Sequence, residues 1–304
     1  LVIEDGFYTH PSGDVMTADE CARLIADKAV EAACEAWQSR RLSTIQNAFG
    51  HAVVGHNRRA TYADGHTAMY GATNVPEFRM IEGYEDHSLD MLFVWARKGV
   101  LAGILLAIPC PSQVDENINQ FSADFWHEIR VELRRRLGKK LSVLPLCGAA
   151  GDQSPHFLVY GREEAEMRRR RNVSERQEIS VRVADAVERA LVCTDPEMGS
   201  VPVRHQYCRV SLTGWHITKA ERDWAKAECR RALARGDDPA SWWPSRLQAV
   251  VESFDRRKKA PRFAMELHSL RIGSLGIVTN TFELYLAYAL RIKAQSPAPQ
   301  TVVV

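Results

Sequence analysis

The segment Cys147-Gly-Ala-Ala-Gly-Asp-Gln-Ser-Pro-His156 gathers, within ten residues, side chains suited to proton and nucleophile chemistry. Its small residues let a substrate approach a backbone whose N–H groups can converge, while Asp152, Ser154 and His156 supply a carboxylate, a hydroxyl and an imidazole. The same letters also spell an Asx/Ser turn followed by a proline stop, which needs no substrate. A second polar segment, Gly55-His56-Asn57-Arg58-Arg59, carries groups that can hold a substrate oxygen. A self-satisfied polar cluster beside a sheet would look the same.

The elements that must position these two segments follow from periodicity and capping. Thr17 and Glu20 are spaced as a capping box, and Leu24, Ile25, Ala29, Ala32, Ala33 and Trp37 follow at helical intervals, predicting a helix to about Arg40. Residues 43–54 shift to strand-like patterning and run into the His56 segment. Residues 89–96 and 100–108 read as a hairpin turned at Arg97-Lys98-Gly99, its second strand nearly all apolar and hence central. Ser122 is placed to cap a helix with Phe125, Trp126, Ile129 and Leu133 on one face, ended by Gly138 at a left-handed C-cap. Leu141 to Leu146 then forms a short buried strand that delivers the Ser154 loop. Helices are predicted over 162–192, 218–235, 244–256 and 282–293, the second opened by a capping box at Thr218 and Glu221, and a second hairpin over 265–279. Strands alternate with helices without a strict βαβ rhythm, so the expected class is α/β, mixed β-sheet layers flanked by helices, in one domain over residues 1–304.

Composition narrows the partner. The 40 basic and 38 acidic residues leave a net charge of +2, which creates no field to recruit nucleic acid or an anionic membrane. The run Arg168–Arg171 lacks interleaved aromatics for base stacking and follows Glu163, Glu164 and Glu166 at pairing distances, which marks a solvated helix face. The 7 cysteines contain no Cys-x-x-Cys pair and read for the most part as small buried hydrophobes. No apolar run spans a membrane and no export signal opens the chain. The Leu-Val-Ile start and the β-branched run Thr301 to Val304 read as cuts through structure, so a truncated domain is expected.

Four segments together resemble, in order and spacing, the catalytic domain of the neutral/alkaline, non-lysosomal ceramidases. That family carries a Gly-Asp-x-Ser-Pro loop after a strand, matched by Gly151-Asp152-Gln153-Ser154-Pro155. Its strand ending Ala-Ile-His-Pro-Thr-Ser, followed by Ser-x-Asp at a helix start, is matched by Ala107-Ile108, one added residue, Cys110-Pro111-Ser112 and Ser122-Ala123-Asp124. Its Leu-Arg-Ile-Gly, strand and Pro-x-Glu-type turn are matched by Leu270-Arg271-Ile272-Gly273 and Asn280-Thr281-Phe282-Glu283, and its Asn-Arg pair by Asn57-Arg58. The likeness runs from about residue 20 to 295.

The resemblance implies zinc-dependent hydrolysis of an N-acyl amide, with a ceramide-like lipid split into sphingoid base and fatty acid. Carried over by position, Ser154 stands for the catalytic serine, with Asp152 orienting the loop or accepting a proton. His56, Asn57, Arg58, Gly151 and His156 fall to substrate binding. Glu283 stands for a zinc-binding carboxylate and Cys110 for a zinc-binding histidine, a departure that would make Zn2+ a weaker Lewis acid. The family's His-x-His motif and zinc-binding tyrosine fall before residue 1 and after residue 304, and Tyr8-Thr9-His10-Pro11 lacks the second histidine. Contact with a membrane surface and a secreted or periplasmic location also come from the resemblance alone. Two other readings stay open: a metal-independent hydrolase using a Cys110 thiolate with His56 or His156, and a non-catalytic homologue that binds a lipid or glycan.

Overall fold

A computed structural model describes residues 16–118, 120–193, 201–214, 216–239, 241–256 and 262–304. The Tyr8-to-Pro11 segment lies outside the described residues. In chain order the first half holds α1 (Ala18–Gln38), β1 (Thr44–His51), β2 (His56–Asn57), β3 (Arg59–Tyr62), β4 (Thr67–Met69), β5 (Phe78–Ile81), β6 (Ser88–Ala96), β7 (Val100–Ile108), α2 (Phe125–Leu137) and β8 (Ser142–Cys147). The second half holds β9 (Gln153–Ser154), α3 (Gly161–Arg171), α4 (Glu175–Leu191), β10 (Val203–Thr213), α5 (Lys219–Ala234), α6 (Trp242–Asp255), β11 (Arg262–Ile272), β12 (Leu275–Val278), α7 (Leu286–Gln295) and β13 (Gln300–Val303). These elements fall into two compact units, Leu42–Val210 with Met265–Val304, and Leu1–Arg41 with Ser211–Ala264.

In the larger unit the central sheet has the order β1-β6-β7-β8, with antiparallel pairs except for the parallel β7–β8 pair. Strand alternation sends Leu89, Met91 and Phe93 of β6 to one face, where Phe125, Ile129 and Leu133 of α2 and Val183 and Val187 of α4 cover them. Each such side chain, fully withdrawn from water, contributes about 1.5–3 kcal/mol. Leu92 and Ala107 point to the opposite face and pack on Leu275, Ile277 and Val302 of a second sheet, ordered β10-β11-β12-β13. Ala149 and Ala289 of α7 pack with Val303 as a further small cluster. The expected α/β architecture of mixed sheets and flanking helices is what forms.

In the smaller unit α5 and α6 pack through Ala225, Leu247 and Val251. The predicted capping boxes of α1 and α5, Thr17 with Glu20 and Thr218 with Glu221, are both present. No described helix is long and apolar enough to cross a membrane.

Four expectations need correction. The helix expected over 162–192 breaks at Asn172, which takes a left-handed conformation before Ser174 starts α4 with its own capping box. Ser122 is not the cap of α2: its hydroxyl accepts the N–H of Asp124, and Asp124, at φ +51°, caps Phe125. The helix expected from Phe282 starts only at Leu286, because the backbone before it bonds to the Ser154 loop. Of the cysteines only Cys110 is buried; Cys21 and Cys229 are half-buried, and Cys34, Cys147, Cys193 and Cys208 are exposed. The arginine run behaves as expected of a solvated face, with Arg169 and Arg170 both paired to Glu166 and Arg168 to Glu164 and Glu175.

Candidate active site

Strands β7 and β8 run parallel and end side by side, with Ile108 opposite Cys147. The carboxyl ends of adjacent parallel strands leave a crevice where loops can present functional groups. Two loops leave here: Pro109-Cys110 from β7, and Gly148 to Pro155 from β8. Gly148 N–H donates to Ile108 O at 2.8 Å and Ala149 N–H to Val303 O at 3.1 Å, so the terminal strand β13 closes the third side. Gly151 N–H donates to Leu284 O at 2.9 Å, and the carboxylate of Asp152 accepts the Leu286 N–H at the start of α7 at 2.9 Å. Asp152 therefore spends its buried charge on tying this loop to a helix N-terminus, a favourable place for an anion.

The loop then pairs as β9 with β2, His56 opposite Ser154 and Asn57 opposite Gln153, which brings the two polar segments of the sequence together. Arg58 is the centre of the junction. Its backbone N–H donates to Asp152 O at 2.9 Å, Nη2 donates to Gly151 O at 2.8 Å, and Nη1 donates to the Tyr70 hydroxyl at 3.1 Å. The guanidinium also stands 3.5 Å from Glu283 Oε2, while its Nε is buried without a partner. Arg58, Cys147, Gly151, Asn280 and Glu283 line a cavity of about 280 Å³. Asn280 also lines a second, mostly apolar cavity of about 630 Å³, with Tyr207, Leu267, Val278, Ile292 and Val303 on its walls.

The remaining expected residues are distributed as follows. Ser154 has no exposed surface; its Oγ accepts from the Tyr70 hydroxyl at 3.3 Å and from His156 N–H at 3.1 Å. His156 Nε2 pairs with Glu116 at 3.0 Å. His56 Nδ1 bonds Glu85 Oε2 at 3.2 Å, and its ring packs on Phe157 with centroids 4.0 Å apart. Asn57 is buried and holds backbone: its amide donates to Tyr84 O and accepts the Arg59 N–H. Burial alone would raise the Glu85 carboxyl, but hydrogen bonds from His56 and the Asn57 N–H, with the charge of His87, outweigh it and hold the group below the usual carboxylate range. Beside it, burial holds the His87 imidazole below its ordinary value.

Cys110 is buried completely, bonds Pro111 O through Sγ, and has its thiol pushed well above the ordinary value by that burial. Neither His56 nor His156 is its partner, so the structure offers no cysteine–histidine pair at this position. Glu283, with a side chain 87% exposed, faces the cavity. Among the described residues no group of three His, Cys, Asp or Glu side chains stands close enough to hold a metal ion. The chain thus presents one open carboxylate but no donor set that fits zinc by itself.

Sequence patterning missed Tyr70, Glu85 and Tyr285, whose hydroxyl accepts from Arg59 Nη1 at 3.2 Å. All three sit in short or irregular segments, and only the Tyr70-Gly71 pair carries a local signal, that of a turn.

The fold matches solved structures. The neutral ceramidase from Pseudomonas aeruginosa superimposes with a TM-score of 0.59 over 93% of this chain and 48% of that one, at 14% identity. The chain has the neutral ceramidase fold. A second structure, a ceramidase complexed with C2, aligns with a TM-score of 0.52 over 88% of this chain and 47% of that one, at 11% identity. The chain spans about half the length of these ceramidases. No family model and no curated protein sequence matches it. Within the ceramidase fold, the junction of Arg58, Ser154 and Glu283 lies where the strand ends and loops converge.

Proposed function

We propose that the complete protein hydrolyses the N-acyl amide of a ceramide-like lipid at the cavity beneath Arg58, with residues 1–304 as one truncated catalytic domain. The observation that carries this reading is a cavity lined by Arg58, Gly151 and Glu283 on a ceramidase fold, with Ser154 buried next to it and joined to Arg58 through the Tyr70 hydroxyl. The buried guanidinium supplies positive charge where a carbonyl oxygen gains negative charge, and in a dry site such a donor acts more strongly than in water. Ser154 contributes a hydroxyl at the scissile group. Asp152 and Asn57 hold the two loops in register. The larger apolar cavity, which shares Asn280 with the first as a lining residue, suits an alkyl chain leaving the amide. Glu283 is this chain's carboxylate for the Zn2+ that the resemblance implies, with further ligands from sequence outside these residues. A cysteine ligand at Cys110 would require its buried thiol to ionise. Contact with a membrane surface and secretion or periplasmic residence belong to the same proposal.

The test is release of fatty acid from N-acyl-sphingosine by the complete protein, wild type against Ser154→Ala, with zinc measured in wild type and Glu283→Gln. Release that drops at least about 100-fold in Ser154→Ala supports the reading, on the scale of losing a positioned hydrogen-bond donor. Absence of release from zinc-loaded wild type would sink it and leave lipid binding without turnover.

A further inference from the structure

Tyr70 occupies a backbone conformation that bulky L-residues avoid, with φ at +52° directly after β4. Such a conformation persists only where surrounding contacts impose it, and it concentrates at functional sites. The contacts are these. Tyr70 N–H donates to Arg58 O at 2.7 Å, Arg58 Nη1 donates back to the phenol oxygen at 3.1 Å, and the guanidinium lies 5.4 Å from the ring centroid. Gly71 closes the turn from below, since a Cβ there would strike the Tyr62 hydroxyl and stand 3.0 Å from Ala60 Cβ. The chain is thereby forced to fold Tyr70 back over Arg58, with its O–H directed at Ser154 Oγ, 3.3 Å away.

A serine hydroxyl has two lone pairs and one proton to offer. The Tyr70 O–H and the His156 N–H, at 3.3 and 3.1 Å, engage both lone pairs of Ser154, leaving its own proton as the free valence. Arg58 can only donate, so its bond to the phenol oxygen frees the Tyr70 proton for Ser154. Ser154 has no exposed surface, whereas Tyr70 is 43% exposed, so the phenol is the member of the pair that faces solvent.

We propose that Tyr70 is a positioning residue for Ser154: backed by Arg58, its phenol fixes the serine hydroxyl as a hydrogen-bond donor to the reacting amide rather than as a nucleophile. This inference rests on the amide-hydrolase reading of the same site. Tyr70 acts through Ser154, so the two must be energetically coupled.

The experiment measures kcat and KM of the complete protein on N-acyl-sphingosine for wild type, Tyr70→Phe, Ser154→Ala and the double variant. Phenylalanine keeps the ring and removes only the hydroxyl. Tyr70→Phe is expected to lower kcat roughly 10- to 100-fold with KM within about 2-fold, the scale of a slightly misplaced reacting group. In the Ser154→Ala background the same change should do nothing further. Two independent losses that multiply, or a Tyr70→Phe enzyme with wild-type kcat while Ser154→Ala is impaired, would overturn the role of Tyr70 and leave the hydrolase reading intact. A wild type without hydrolysis removes both. Rapid labelling of Ser154 by a fluorophosphonate in active wild type would likewise overturn it, since that reaction needs a serine lone pair.

Discussion

Replacing Gly151 by alanine tests whether the Ser154 loop is pinned to the segment carrying Glu283. A Cβ on Gly151 would collide with the Glu283 carbonyl oxygen and stand 2.7 Å from that carbonyl carbon and 2.9 Å from Tyr285 Cδ1. Two of these three obstacles are backbone, which cannot swing aside as a side chain does. Forcing one methyl into such a contact costs about 1–3 kcal/mol. The backbone shift also stretches the Gly151 N–H bond to Leu284 O and the Arg58 bond to Gly151 O, adding about 1–2 kcal/mol. A loss near 3 kcal/mol corresponds to a fall in Tm of roughly 6–12 °C for a unit of this size. Thermal unfolding followed by circular dichroism measures it, with Gly103→Ala in β7 as the control, because there a Cβ meets nothing closer than 3.6 Å. If Gly151→Ala melts within about 2 °C of the Gly103→Ala protein, the loop and the Glu283 segment are not in contact as described.

Glu85 and His87 predict acid sensitivity. Both are held below their ordinary values of 4.5 and 6.5, so the unfolded chain takes up protons first: stability from His87 is present above about pH 6.5 and that from Glu85 above about pH 4.5, and each is lost as pH falls through the lowered value. Glu85→Gln should cost about 1 kcal/mol in urea unfolding at pH 7, and the gap to wild type should close as the pH drops below 4.5; a pH-independent gap contradicts the pairing. Iodoacetamide should separate the cysteines of the native protein. Cys110 stays unmodified, and Cys147, whose thiol is raised by the atoms crowding it and by the Glu283 charge, reacts more slowly at pH 7.5 than Cys208 and faster once Glu283 is replaced by glutamine. An unchanged Cys147 rate in Glu283→Gln would remove Glu283 from the neighbourhood of that thiol.

The layers were legible because apolar periodicity records burial directly. The apolar, β-prone runs 89–96 and 100–108 mark β6 and β7, the two inner strands of the central sheet, and the capping boxes at Thr17 and Thr218 place helix starts to the residue. Asn172 was hidden inside an arginine- and glutamate-rich stretch, where helix propensity stays high on both sides and only a left-handed residue marks the break. The site was legible as two polar segments but not as one cluster. What joins them is the two-residue β2–β9 ladder and the hydrogen bonds of Arg58, and neither leaves a periodic trace. Tyr70 escaped for the same reason: its role depends on a positive φ and on a partner 84 residues away.

The wide spacing of the site's partners also sets when it can exist during synthesis. The β1-β6-β7 meander joins near neighbours and can form early, but Arg58 reaches Gly151 across 93 residues, and Arg59 reaches Tyr285 across 226. At about 5–20 residues per second, the ribosome needs on the order of ten to forty-five seconds to bridge the longer gap. Until the last of that interval Arg59 lacks Tyr285, and Asp152, once made, lacks the Leu286 N–H, 134 residues further on. High contact order makes this edge of the sheet the last to close, and the nascent chain is most exposed to chaperones and misassociation there.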